Sequence, residues 1–209
     1  MRYRNREEAG KLLATALMRF KPQDVVVLAV PRGGLPLGAI VAKELNAPLD
    51  VALAKKIGHP YNQEYAIGAV SLSDTILTNA EGVSGEYIQN EVVRIREKLR
   101  ERHAYYHSHH LPVSVKDKVV ILVDDGLATG NTMMALTALI GQQKPSKIIV
   151  AVPVAPPSTV RRLQNLKQVD EVVCLQSDPY FQAVGQYYEH FYQVSDEEAI
   201  QWLDTVPSE

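Results

Sequence analysis

The chain has 209 residues, 46% of them hydrophobic and 22% charged, and a formal net charge of −2. Those values lie in the ordinary globular range, make one domain the default, and supply no overall charge that would draw nucleic acid or an anionic membrane. A single cysteine, Cys174, excludes an intramolecular disulfide framework and points to a reducing cytoplasm. The opening "MRYRNREEAGKLLATAL" has no signal-peptide core, and no apolar run reaches the roughly 18 residues of a spanning helix, so a soluble protein is expected.

Arg6 to Phe20 carries Ala9, Leu12, Leu13, Ala16, Leu17 and Phe20 at spacings of three and four, which predicts an amphipathic helix covering one sheet face. "DVVVLAV" reads as a buried strand, "PRGG" as a turn, "LPLGAIVAKELN" as a helix and "LDVALA" as the next strand, a βαβ unit. "KKIGHPYNQEY", from Lys55 to Tyr65, is polar and punctuated by Gly58 and Pro60, which predicts a loop. "AIGAVS" and "TILTN" pair as a hairpin through "LSD". From Ser84 to about Tyr106 a long helix sets Ile88, Val92, Ile95 and Leu99 on one stripe, an arm or cap inserted over residues 84–115. Its tail holds His103, His107, His109 and His110, whose spacing reads as a solvated loop in preference to a metal site.

A second alternating unit follows. Its parts are a strand from Val119, a helix from Thr132 to Ile140, the strand "KIIVAVPV", a helix from Ser158 to Leu166 and the strand "VDEVVCL". The fold class is therefore α/β, a Rossmann-like and mainly parallel sheet flanked by helices, in a single domain over 1–209. Such sheets bind ligands at the carboxyl ends of their strands.

The stretch "VVILVDDGLATGNT" ends a buried run in two carboxylates and then turns on glycines. Gly126 and Gly130 permit a tight turn in which successive N–H groups converge on one anion, and Thr129 and Thr132 add hydroxyl donors. Asp124 and Asp125 repel phosphate but accept hydrogen bonds from sugar hydroxyls. The stretch reads as a receptor for a sugar phosphate.

From Val120 to Thr132 it resembles the phosphoribosyl-pyrophosphate motif of the type I phosphoribosyltransferases: four apolar residues, two acidic residues, then a Thr- and Gly-rich loop. Gly126 stands where most of that superfamily carries an aliphatic residue, which resembles a branch apart from the purine salvage enzymes. The resemblance implies that Arg32, Gly33 and Gly34 bind pyrophosphate, with a non-proline cis peptide common in that loop. It places Asp124, Asp125, Gly126, Ala128, Thr129, Gly130, Asn131 and Thr132 around ribose and phosphate. It further implies a mobile segment at 55–65, from which Lys55 and Lys56 neutralise pyrophosphate unless they are simply solvated. A C-terminal hood over 176–209 would hold the acceptor, with Phe181 or Tyr188 stacking on its ring, although aromatics in a terminal segment also pack it onto a domain.

The implied activity is a pentosyltransferase, moving 5-phosphoribosyl from its pyrophosphate to a nitrogen heterocycle in nucleotide metabolism. Mg2+ would be carried mainly by the substrate, with no dedicated protein metal site, and a homodimer is the implied assembly. Asp125, in preference to Asp124, would take a proton from the heterocycle. A second reading stays open: a non-catalytic sensor of phosphoribosyl pyrophosphate or nucleotides with a regulatory partner. It would use Arg94, Arg96, Lys98, Arg100 and Arg102 as a contact surface unless Glu97 and Glu101 pair with them.

Overall fold

The computed structural model describes residues 2–108 and 111–206, so His109 and His110 lie outside the described residues. The chain opens with α1 (Arg6–Leu17), whose first turn is capped by Asn5. Its buried face is Arg6, Ala9, Gly10, Leu13, Ala14 and Leu17. Leu12, expected on that face, is instead exposed. An arginine on the buried stripe is the feature the periodicity did not reveal.

β1 (Val25–Ala29), α2 (Gly34–Leu45) and β2 (Leu49–Val51) form the first βαβ unit. The second runs through β6 (Val119–Val123), α4 (Asn131–Gln142), β7 (Lys147–Ala155), α5 (Pro157–Gln164) and β8 (Glu171–Ser177). All five strands are parallel in the order β2-β1-β6-β7-β8. Every residue of β1 and β6 is buried, as continuous apolar runs demand when helices cover both faces.

One face packs on α1, α2 and α6 (Asp196–Asp204) through Leu13, Leu17, Leu37, Ile121, Val123 and Leu203. Each fully buried leucine there contributes about 1.5–3 kcal/mol. The other face packs on α4 and α5 through Val120, Leu122, Leu136, Ile140 and Leu163.

Between the units lies a second sheet, β3 (Lys55–His59), β4 (Asn62–Val70) and β5 (Thr75–Leu77), antiparallel throughout. The expected hairpin is β4–β5. The expected loop at 55–65 is instead a hairpin of its own, with a bulge at Gly58. It forms because Ile57, Ile67 and Val70 meet Ile95 and Leu99 of α3 (Gly85–Tyr106) in a separate apolar cluster. Tyr87 fastens helix to hairpin by donating its hydroxyl to the Gly58 carbonyl at 2.9 Å. Arg94 pairs with Glu91, and Arg96 donates to the Thr75 hydroxyl at 3.0 Å and towards the Ser71 and Ser73 carbonyls.

At the end of α3, His107 Nε2 lies 2.8 Å from Asp50 Oδ1, and its ring stacks on His103 with centroids 3.9 Å apart. Among the described residues no group of three or more potential ligands is placed to hold a metal ion. No helix is long and apolar enough to cross a membrane.

Candidate active site

Chain order reverses between β1 and β6: from β1 the sheet grows outward to β2, and from β6 it grows the other way to β7 and β8. A crevice therefore opens above the carboxyl ends of β1 and β6. Their registers match through Ala29 and Val123, so the loops that leave them start at one level.

The loop after β1 is Pro31–Gly34, and its Pro31–Arg32 peptide is cis. It presses against the loop after β6. A Cβ on Gly33 would stand 2.2 Å from Asp125 Oδ2, and one on Gly34 would stand 2.6 Å from the Val123 carbonyl oxygen. Glycine is required here by close approach, which is what brings the two loops together.

Asp124 is half-buried and Asp125 buried. Asp125 Oδ2 accepts from Arg6 Nε at 2.9 Å and lies 2.9 Å from Arg6 Nη2, while its backbone carbonyl accepts the Tyr188 hydroxyl at 2.6 Å. Burial and the neighbouring Asp125 charge hold the Asp124 carboxyl well above the usual carboxylate range. Burial raises Asp125 as well, with Arg6 pulling it back.

The glycine-threonine loop leads into α4. Gly130 takes φ +71° as its N-cap. Ala128, Thr129, Asn131 and Thr132 are exposed, and the first-turn N–H groups of a helix have no partner within it. α5 braces the loop from behind: Thr159 donates to the Ala128 carbonyl at 2.6 Å and Arg162 to the Thr129 carbonyl at 3.2 Å. Gly126 has its own packing reason, since a Cβ there would lie 2.7 Å from Val184 Cγ1 and 2.9 Å from Val154 Cγ1.

Two cavities adjoin these loops. One of about 350 Å³ is lined by Arg6, Arg32, Gly33, Asp125 and Phe191–Val194. The other, about 660 Å³, lies between the β3–β4 hairpin and α4 and includes Lys55, Lys56, Asn131, Thr132 and Arg162. The lysines are exposed on β3 and thus share a cavity with the helix start, whereas Arg32 and Gly33 line the other.

The aromatic residues expected to stack on an acceptor are placed differently. Tyr188 is 1% exposed, packed between Tyr3 and Phe191, with its hydroxyl committed to the Asp125 carbonyl. Burial and Asp125 raise its phenol further above the ordinary range. It is a core residue, unavailable to a ligand ring. Phe181 is half-buried and stacks on Tyr187 at 5.5 Å. The wall of the smaller cavity is formed by Phe191, Tyr192, Gln193 and Val194, which lie within the expected hood segment but were not singled out there.

The phosphoribosyl transferase domain model matches residues 4–189 of the chain. The chain belongs to the phosphoribosyl transferase family. A curated Mycobacterium tuberculosis protein, Rv0571c, provisionally named a phosphoribosyl transferase, is 35% identical over 205 residues, covering 96% of this chain and 46% of that protein. The chain thus spans a little under half the length of the curated relatives it matches. The solved structure of TT1426 from Thermus thermophilus is 40% identical with a TM-score of 0.90, over 97% of this chain and 98% of that one. AQ2163 from Aquifex aeolicus, at 16% identity, 83% and 74% coverage and a TM-score of 0.50, shares the fold. The parallel sheet and its flanking helices are those of the type I phosphoribosyltransferase fold.

Proposed function

We propose that this phosphoribosyl transferase domain moves 5-phosphoribosyl from phosphoribosyl pyrophosphate to a nitrogen heterocycle, releasing pyrophosphate. The observation that carries this reading is the contact of the Arg32–Gly34 loop with Asp125 at the β1–β6 crevice, beside the α4 helix start. Backbone amides of the first loop and Arg32 would hold pyrophosphate, Asp124 and Asp125 the ribose hydroxyls, and the loop Ala128–Thr132 the 5′-phosphate. Such a transfer passes through an oxocarbenium-like state, so neutralising the departing pyrophosphate matters more than a nucleophile. Mg2+ would be carried mainly by the substrate and would supply charge neutralisation when bound. A cytoplasmic homodimer completes the reading, supported by the unpaired Cys174 and by the family resemblance.

The test is incubation of the protein with Mg2+, phosphoribosyl pyrophosphate and a panel of nitrogen heterocycles, with pyrophosphate release measured. Binding of phosphoribosyl pyrophosphate without turnover on any acceptor would establish the sensor instead. Of the basic residues that alternative invokes on the long helix, Arg96 is committed to the β4–β5 turn and Arg94 pairs with Glu91, while Lys98, Arg100 and Arg102 are exposed.

Crystals soaked with a nucleoside 5′-monophosphate are expected to show its phosphate on the amides of 129–132, with the Thr129 or Thr132 hydroxyl in contact. A phosphate elsewhere, with this loop empty, rejects the cradle. For the lysines, closure of the β3–β4 hairpin over bound substrate would carry Lys55 and Lys56 from the α4 side towards pyrophosphate. The double variant Lys55→Ala/Lys56→Ala is expected to lower the single-turnover rate about tenfold or more while affinity for phosphoribosyl pyrophosphate changes less. Equal rates in variant and wild type would remove both from the mechanism.

A further inference from the structure

His107 caps the end of α3, and its side chain is 6% exposed against 10% for that of Asp50 beside it. Both of its ring nitrogens are engaged. Nε2 lies 2.8 Å from Asp50 Oδ1 on β2, and Nδ1 lies 3.0 Å from the His103 carbonyl oxygen one turn back on α3. Asp50 also takes a backbone amide on each oxygen, that of Val51 at 2.6 Å on Oδ1 and that of Val113 at 2.9 Å on Oδ2. It therefore faces His107 as an acceptor, as the carbonyl does. A neutral imidazole carries one N–H and can satisfy one of these two acceptors, whereas the imidazolium, a donor at both nitrogens, satisfies both.

This contact sits at the foot of an arm. Further up, α3 carries the β3–β5 sheet: Ile95 and Leu99 pack on Ile57, Ile67 and Val70, and the Tyr87 hydroxyl donates to the Gly58 carbonyl. Its foot is tied to the parallel-sheet body by His107 to Asp50 and by Tyr106, whose hydroxyl donates to Asp196 of α6 at 3.2 Å. We propose that His107 is a proton-operated clasp: charged, it fastens the foot of α3 to β2; neutral, it gives up one of its two acceptors and loosens the arm that carries the hairpin with Lys55 and Lys56. The clasp does not depend on the transferase reading. It would make the setting of the hairpin over the cavity of about 660 Å³ follow pH.

Among the described residues, the groups that face His107 agree with this. β2 supplies the Asp50 charge, and α3 supplies His103, whose ring stacks on that of His107 with centroids 3.9 Å apart. The 71–73 turn and the end of α4 bring Ser71, Ser73 and Gln143, which carry no charge, and the 112–115 segment meets them with apolar side chains. These groups line one cavity of about 240 Å³ with the two histidines and Asp50, which gives water and its protons a route to the ring. Burial works against the charge, but the hydrogen bond to Asp50, the Asp50 charge and the His103 carbonyl outweigh it and raise the His107 titration above the ordinary histidine value. Burial and the neighbouring His107 lower His103, so the stacked pair carries one charge in preference to two. A histidine whose folded titration lies above its unfolded one contributes stability that is whole below the unfolded value and is lost as pH rises through the folded one.

The test is nitrogen-15 NMR of the full chain labelled at histidine, with His107 assigned by the signal lost in His107→Gln. Wild type is expected to show N–H on both ring nitrogens of His107, titrating above the ordinary histidine value, and Asp50→Asn should lower that titration by about 1–3 pH units. Hydrogen exchange reads the arm. Corrected for the intrinsic amide rate, protection of 103–107 should fall about tenfold as pH rises through the His107 titration, and should stay level in His107→Gln. A His107 that titrates at or below the ordinary value, or one unmoved in a folded Asp50→Asn, overturns the proposal; the wild-type titration decides alone if Asp50→Asn does not fold. Protection that falls equally in His107→Gln, or that does not fall in wild type, overturns it as well.

Discussion

Gly33→Ala is expected to destabilise the protein by about 3 kcal/mol, out of proportion to one added methyl group. The new Cβ would lie 2.2 Å from Asp125 Oδ2 and 2.7 Å from its Cγ. A carboxylate at the end of a free side chain would swing away. This one is gripped by Arg6 on one side and has its backbone carbonyl tied to Tyr188 on the other. Displacing it leaves a buried guanidinium short of its partner, the costly half of breaking a buried ion pair. At about 2–4 °C per kcal/mol in a chain of this size, the melting midpoint should fall by about 6–12 °C. Gly85→Ala is the control: nothing lies within 4 Å of its Cβ position, and alanine favours a helix start over glycine. A Gly33→Ala midpoint within about 2 °C of wild type, on the same slope, would mean that the loops separate more easily than their contact implies.

Asp124→Asn is expected to lower phosphoribosyl transfer by about a hundredfold while leaving the fold as stable or more so. The loss of activity follows if Asp124 holds the ribose hydroxyls at the crevice, the role proposed for it. The stability follows from linkage. A carboxyl whose folded titration lies above its unfolded one binds more protons folded than unfolded across that window, so wild-type stability falls as pH rises through it. Asparagine carries no such charge. Melting midpoints of wild type should therefore decline relative to Asp124→Asn as pH rises above the ordinary carboxylate range, and converge below it. Parallel curves across that range, or unchanged turnover at saturating acceptor, would take Asp124 out of the proposed role.

The parts of this structure that were legible in the sequence are those in which a local pattern and a global position agree. "VVILV" ending in Asp124 and Asp125 could only be a buried strand delivering charge to an edge, and β6 does so. The alternation of strands with helices around it gave the parallel sheet. The hairpin at 55–65 was hidden because Ile57 is the one large apolar side chain of β3, and part of its support, Ile95 and Leu99, lies on a distant helix. Arg6 was hidden for a related reason. It stands 119 residues from its partner, and nothing local pairs them. The available signal was a cation in register with Ala9, Leu13 and Leu17 on the inward stripe of α1, a position an arginine occupies only when something inside receives it. Tyr188 stayed open between stacking on an acceptor and core packing because aromatic content distinguishes poorly between a ligand shelf and a core contact, and the neighbouring Tyr3 packs it into the core.

Gly126 and Val184 occupy a single shared volume from opposite sides, one in the phosphate motif and the other in the C-terminal segment. A side chain at position 126 would meet Val154 as well as Val184, on a backbone φ of +156° that side chains rarely adopt, so the motif's seventh residue and the hood's entry are coupled in packing across a separation of 58 residues. A graft that carried an aliphatic residue into position 126 while retaining Val184 would inherit a collision. The apparent irregularity in the motif is thus matched by Val154 and Val184, which lie in parts of the chain that bear no motif at all.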